Sequence, residues 1–271
     1  MADKRRAATL QVLAVTMNMP EGDSLFKRMN LSSDALVGNQ CGANGYKEYV
    51  FNGHTVKVYS RDDRGVGLNR NDIIMRADAD ILLFADDDVI YDDGYEEKIL
   101  DEFRKHPEAD AITFNVVPIP DTIPPDLNTK WKRIRWYNCL KYGAPRLAIR
   151  KSVLREKGIY FSLLFGGGAK YSSGEDSLFI ADLIRSGVKV YGAPVKIGSV
   201  TFEESSWFSG YNDKYFMDKG LFFYFLSHRF SKLLCLQYCV RKKGLFAGKY
   251  TAKQAYILMK SGIRKYKNGE Y

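Results

Sequence analysis

No run of apolar residues approaches the roughly 18 to 20 that a membrane-spanning helix needs. The opening residues, MADKRRAATL, lack the apolar stretch of a secretory signal, so the expectation is a cytoplasmic protein. Cysteine is scarce: Cys41, Cys139, Cys235 and Cys239 are scattered without a paired metal-binding spacing. That excludes a zinc or disulfide framework and predicts free thiols. No internal repeat is visible, which argues against solenoids and propellers. What is present is an ordinary globular balance, 45% hydrophobic and 27% charged over 271 residues. It excludes the disordered and collagen-like classes and fits one large domain, or one domain with an appendage.

The net charge of +9 is unevenly spread. Residues 214–271 carry 10 Lys and 3 Arg against Asp218 and Glu270, a local +11, and the rest of the chain carries −2. A basic tail interleaved with Phe, Tyr and Leu suits nucleic acid, an anionic membrane surface or an anionic substrate, and the plain alternative is a solvated helical face.

Along the chain, strand and helix patterns alternate. Apolar or alternating runs predict strands at 10–15 (LQVLAV), 35–37, 55–59 (TVKVY), 81–85 (ILLFA), 111–116, 147–149 and 188–191. Helical spacing covers 22–29, 65–76, 92–105 and 175–185. Segment 118–125 reads as a Pro-rich loop, 166–168 (GGG) as a flexible loop, and the chain beyond about 211 as helical and aromatic. ILLFA is apolar on both faces, as expected in the middle of a mainly parallel sheet covered by helices on both sides.

Three sequence features carry chemistry. Asp86-Asp87-Asp88 follows ILLFA directly, where mutual repulsion calls for a positive partner. In an extended segment Asp86 and Asp88 face the same way and Asp87 turns aside. Two such carboxylates suit Mg²⁺ or Mn²⁺ completed by phosphate oxygens; the alternative is a solvated acidic turn. Second, 64–71 (RGVGLNRN) opens a helix with two close-approach glycines and Arg70 beside a possible diphosphate position. It also reads as a simple helix start. Third, 172–176 (SSGED) precedes an apolar helix. Ser172 and Glu175 have capping-box spacing, and Asp176 is placed for a general base or for an ordinary first-turn acid.

In this order and spacing, RGVGLNRN, FADDDV about 20 residues on and GEDSLF resemble the motifs of glycosyltransferase family 2, the inverting nucleotide-sugar transferases of GT-A fold, over roughly 10–207. The resemblance implies an α/β, GT-A (Rossmann-like) mixed, mainly parallel sheet flanked by helices, with a basic aromatic helical C-terminal extension. The catalytic domain would span 1–210, with a nucleotide-sugar part at about 8–117 and an acceptor part at about 118–210, and the extension 211–271. It also implies Mn²⁺ or Mg²⁺, and a nucleotide-sugar donor, most often UDP-linked.

Matched residue by residue, the resemblance makes Asp88 the direct metal ligand, with Asp86 nearer the ribose and Asp87 beside them. Asp176 becomes the catalytic base. Thr16, Asn18, Arg70 and Asn71 become nucleotide contacts. Asn39 and Gln40 stand where relatives commonly place an acidic residue for the base, which weakens the case for uracil contact there. The late metal-binding His of many relatives is replaced by 201–204 (TFEE), and His228 is the only later His. Glu175, Gly167, Arg146 and Trp136 fall where acceptor or sugar contacts are expected, although an aromatic such as Trp136 is more often core. The expected partners are a nucleotide sugar, a glycan or lipid-linked glycan acceptor of a bacterial surface-polysaccharide type, and an anionic membrane surface met peripherally through 214–271. No nucleic acid is expected. The alternatives are a sugar-phosphate nucleotidyltransferase, whose Gly-rich loop is missing at 16–20, and a non-catalytic basic module, which leaves the three site aspartates unexplained.

Overall fold

A computed structural model describes residues 7–119, 127–201 and 210–271. Its centre is a ten-stranded mixed sheet. The first half holds β1 (Leu10–Met17), β2 (Asp34–Gln40), β3 (Gly45–Phe51), β4 (His54–Arg61) and β5 (Ile81–Asp86). The second half adds β6 (Val89–Tyr91), β7 (Ala111–Ile119), β8 (Lys132–Arg133), β9 (Leu147–Arg150) and β10 (Val190–Thr201). The order is β3-β4-β2-β1-β5-β9-β7-β10-β6, with β8 on β10. Strands β4, β2, β1 and β5 pair in parallel, whereas β9 lies antiparallel between β5 and β7.

The two-faced character of the central strands is borne out. Leu10, Val12 and Ala14 of β1 pack with Ile81, Leu83 and Ala85 of β5 in one core; Leu13 and Val15 pack with Leu82 and Phe84 in the other. Helices α1 (Ser24–Arg28) and α3 (Tyr95–Lys105) cover the first face. The second is covered by α2 (Val66–Arg76), α4 (Lys151–Lys157) and α5 (Glu175–Arg185). The same core takes in α6 (Asp213–Leu226), α7 (Ser231–Arg241) and α8 (Ala252–Lys267) through Phe216, Cys235 and Met259. The four cysteines are free thiols.

Three local expectations are corrected. The 55–59 strand is one arm of a hairpin whose partner, β3, sequence reading missed; Asn52 (φ 50°) and Gly53 (φ 81°) form its turn. Pro118 belongs to β7, paired in register with Val200, and the remainder of the expected Pro-rich loop, 120–126, lies outside the described residues. The helix expected from Asp92 begins at Tyr95, after Gly94 in the left-handed region. The segment 202–204 also lies outside the described residues.

Candidate active site

From β1 the chain moves outward to β2 and β4, then returns through α2 to place β5 on the opposite flank of β1. Connections leaving β1 and β5 therefore diverge, and the carboxyl ends of these strands border the kind of crevice where open α/β sheets bind ligands. Val15 is in register with Asp86, so the next residues, Thr16 and Asp87, meet. The Thr16 hydroxyl donates to Asp87 Oδ2 at 2.5 Å. Arg28 of α1 donates to the Asp87 carbonyl at 3.1 Å. The chain turns at Asp87 and Asp88, and the Asp87 side chain is directed to Thr16 and Arg28, away from the partners of Asp86. The Asp88 carbonyl accepts from the Thr201 amide at 3.3 Å, tying the turn to β10.

Arg70 answers the repulsion expected at the triplet. Its side chain is 2% exposed, on the second turn of α2. It donates to Asp86 Oδ1 at 2.7 Å, Asp176 Oδ1 at 2.6 Å and Glu175 Oε1 at 3.3 Å. The guanidinium also lies 5.1 Å from the centroid of Phe161, which stacks on Phe179 at 3.9 Å. One cation thus gathers carboxylates from the end of β5 and the start of α5. Burial would lower the Arg70 pKa, but Asp176, Asp86 and Glu175 hold it well above its ordinary value. With three carboxylates and one guanidinium the cluster keeps a formal surplus of negative charge. Burial, reinforced by Asp176, pushes Glu175 up to about 7 against the pull of Arg70. Loss of hydration raises Asp86 in the same sense.

The start of α5 is set by close packing. The expected capping box does not form: the helix begins at Glu175, with Gly174 at φ 122° as its cap, and the Ser172 amide instead donates to Asp218 Oδ2 at 3.1 Å. A Cβ on Gly174 would stand 2.4 Å from the ring of Phe222 in α6, so no larger residue fits. The triglycine loop is likewise wedged in place. The Gly167 carbonyl accepts from the Val66 amide at the start of α2 at 2.9 Å. A Cβ on Gly166 would lie 2.7 Å from Val66 and 2.8 Å from Glu175. The loop is therefore a packed spacer between the openings of α2 and α5.

The other polar candidates divide into cleft and scaffold. Asn18 is exposed after β1 in the left-handed region at φ 51°. Asn39 accepts from the Met19 amide at 3.0 Å and shapes that loop. Gln40 accepts from the Gly65 amide at 3.3 Å and donates to Asp63 at 3.1 Å. Asn71 uses both ends of its amide on the Phe161 backbone, at 2.9 and 2.8 Å, and so fixes the ring beneath Arg70. Asp63, Arg28 and Phe161 were not anticipated. Asp63 had a local signal, the charged RDDR run after β4; the other two are joined to the site only by tertiary pairing. On the far side, a Cβ on Gly143 would come 3.4 Å from Asp176 Oδ2. Beside it, Arg146 donates to the Lys141 carbonyl at 3.0 Å. Trp136 is 67% exposed and meets Tyr137, also exposed, edge to face, so the core alternative for it does not hold.

Comparison with known proteins finds one family model and a set of similar folds. Residues 43–158, a stretch containing Arg70 and the three aspartates, match the family model described as Glycosyl transferase family 2. The match covers 116 of the 271 residues. The fold of the chain is similar to that of S. aureus TarS residues 1–349 in complex with UDP-GlcNAc, with a TM-score of 0.63 at 13% identity over 97% of this chain and 93% of that one. The UDP complex of the same protein gives 0.62 at 13% identity, covering 97% and 92%. A longer TarS structure gives 0.57 at 14% identity, covering 89% of this chain and 44% of that one. At these identities the likeness is one of fold. No curated protein sequence matches the chain.

The matched stretch ends before Glu175 and Asp176, which are joined to it through Arg70. Among the described residues no group of three or more His, Cys, Asp or Glu side chains is arranged to hold a metal ion. The donors at the turn, Asp86 and Asp88, are the hard oxygen type that Mg²⁺ and Mn²⁺ accept in ones and twos when substrate phosphates supply the remaining ligands. The donor chemistry therefore fits such an ion as a shared site.

Proposed function

We propose that the chain is a glycosyltransferase that moves a sugar from a UDP-sugar to a hydroxyl of a glycan or lipid-linked glycan acceptor, with inversion and with a divalent cation. The observation that supports it best is the Arg70 bridge, which holds the Asp86 carboxylate and the Glu175–Asp176 pair in one cleft at the switch point of the sheet. In this reading the diphosphate lies over the Thr16–Asp87 contact and the turn that follows it. Asp86 and Asp88 would hold Mg²⁺ or Mn²⁺, whose charge would offset that of the diphosphate. Thr16, Asn18, Asn39, Gln40 and Asp63 border the nucleoside end.

Asp176, 26% exposed and oriented by Arg70, accepts the proton of the acceptor hydroxyl as its oxygen attacks the anomeric carbon. The bond to the diphosphate breaks in the same displacement, so the anomeric centre inverts. Glu175, which accepts from Arg70 and from the Gly174 amide at 3.2 Å, borders the incoming sugar in this reading. Trp136 and Tyr137 offer aromatic faces for an acceptor ring, with Arg146 beside them. The nucleotide-sugar part and the acceptor part meet at Arg70, and residues 211–271 act at an anionic membrane from the cytoplasmic side.

Calorimetric titration with UDP, with and without Mn²⁺, tests the donor site on the wild type and on Asp88→Ala. Metal-dependent binding that disappears in the variant is expected. Absence of UDP binding in the presence of Mn²⁺ overturns the donor assignment.

A further inference from the structure

Helix α7 is apolar on two sides. Its inward face, Ser231, Cys235 and Cys239, is buried against the other C-terminal helices. On the outward face Leu233 is 61%, Leu236 46% and Val240 57% exposed. Positions 233, 236 and 240 fall within one narrow arc of a 3.6-residue helix, so the three side chains form a continuous ridge. Isolated exposed leucines are ordinary, but a contiguous apolar ridge marks a contact surface.

The surrounding charge identifies the partner. Lys232 and Arg241 stand on opposite flanks of the ridge, and Lys242 and Lys243 follow it directly, all exposed. Between Lys219 and Gly269 the sequence contains 12 Lys and Arg and no Asp or Glu. A second copy of this face would bring two cationic surfaces together around the ridge, which disfavours self-association. Nucleic acid would satisfy the charge, yet Leu and Val offer no stacking surface for bases. An anionic lipid surface meets both demands: acyl chains receive the ridge, and headgroup phosphates and carboxylates meet the lysines and arginines. No helix among the described residues is long and apolar enough to cross a membrane.

We infer that the outward face of α7 is an in-plane docking surface for an anionic bilayer, with Leu233, Leu236 and Val240 inserted at the headgroup boundary. This rests on the membrane part of the reading above, but its test needs neither donor nor acceptor. A failure here leaves UDP binding untouched, and a failure of UDP binding leaves vesicle binding to be measured on its own.

The experiment is co-sedimentation of the full chain with large vesicles, either pure phosphatidylcholine or phosphatidylcholine with about one third phosphatidylglycerol. Wild type is expected to bind the anionic vesicles and not the neutral ones. The triple variant Leu233→Ser, Leu236→Ser, Val240→Ser should lose about 30-fold or more in affinity. Its thermal melt should match wild type, because all three side chains already face solvent. Lys242→Gln with Lys243→Gln should weaken binding and flatten its salt dependence without removing the residual apolar component. Absence of wild-type binding to anionic vesicles overturns the inference, as does wild-type affinity in the triple variant. A wild-type dimer in sedimentation velocity that the triple variant abolishes also overturns it, because the ridge would then be covered by a second copy.

Discussion

Arg70→Met removes the guanidinium while keeping a long apolar stem over Phe161. In the wild type the guanidinium is 2% exposed and lies 2.6 to 3.3 Å from Asp176, Asp86 and Glu175, so its loss leaves three converging carboxylates without their cation. Removing one partner of a buried ion pair typically costs about 3–5 kcal/mol, and this arrangement places the variant in that range near pH 8. For a chain of this length the unfolding entropy near the melting point is about 0.6 kcal/mol/K, so the melting temperature should fall by about 5–9 °C. The loss must also depend on pH. Stripped of Arg70, the carboxylates take up protons at higher pH in the folded state than in the unfolded chain, so the variant regains stability as pH falls toward about 5. Wild type and variant melts across pH 5 to 8 provide the assay. A loss below about 1 kcal/mol at pH 8, or one that is the same at every pH, would refute the idea that Arg70 is what permits these carboxylates to converge.

Two further outcomes follow from the same cluster and its surroundings. Because the folded pKa of Glu175 stands at about 7 against 4.5 unfolded, its ionisation costs stability progressively as pH rises through that window, up to about 3 kcal/mol above it. Glu175→Gln, which retains an acceptor for Arg70, should therefore be more stable than wild type at pH 8 and show a flatter denaturation midpoint between pH 5 and 8; parallel profiles would contradict the assignment. Gly174→Ala should cost about 2–4 kcal/mol, since it adds a Cβ at φ 122° and 2.4 Å from Phe222. Phe222→Leu in the same chain should recover only the steric part, as read from urea midpoints.

The half of the fold that carries Asp86 was legible because its strands obey a local rule. ILLFA is apolar at every position, and both faces of β5 are dry. The acidic triplet after it stood out for the same reason, as charge placed where a buried strand ends. The β3–β4 hairpin was legible in principle, through Asn52-Gly53 between alternating residues, but β3 exposes nearly all its side chains and gives no hydrophobic signal. Ser172 misled because a capping box is defined by spacing alone, whereas the observed start of α5 is decided by the Phe222 ring against Gly174. The Arg70 bridge was beyond local reading altogether, because its partners in α5 stand 105 and 106 residues away.

That separation explains why the C-terminal helices matter to the chemistry proposed for the cleft. The sheet delivers Thr16, Asp86 and Asp87 directly, by strand register, but nothing in the sheet positions Glu175 and Asp176. Their approach is fixed from the other side. Asp218 of α6, 2% exposed, accepts the Ser172 amide, takes the Lys214 ammonium at 2.6 Å and accepts from the Tyr271 hydroxyl at 2.5 Å. Lys214 also donates to the Lys170 carbonyl at 3.1 Å, so the chain leading from the triglycine loop to α5 is held at three points by groups from α6 and beyond. A glycine at 220 lets α8 approach closely, since a Cβ there would stand 2.2 Å from the Met259 carbonyl, and Gly262 returns the same contact against Met217. The basic helices are thus packed into the scaffold of the acidic cleft. If α7 meets a membrane, the route from that surface to Asp176 runs through α6 and Gly174, all within one hydrophobic core.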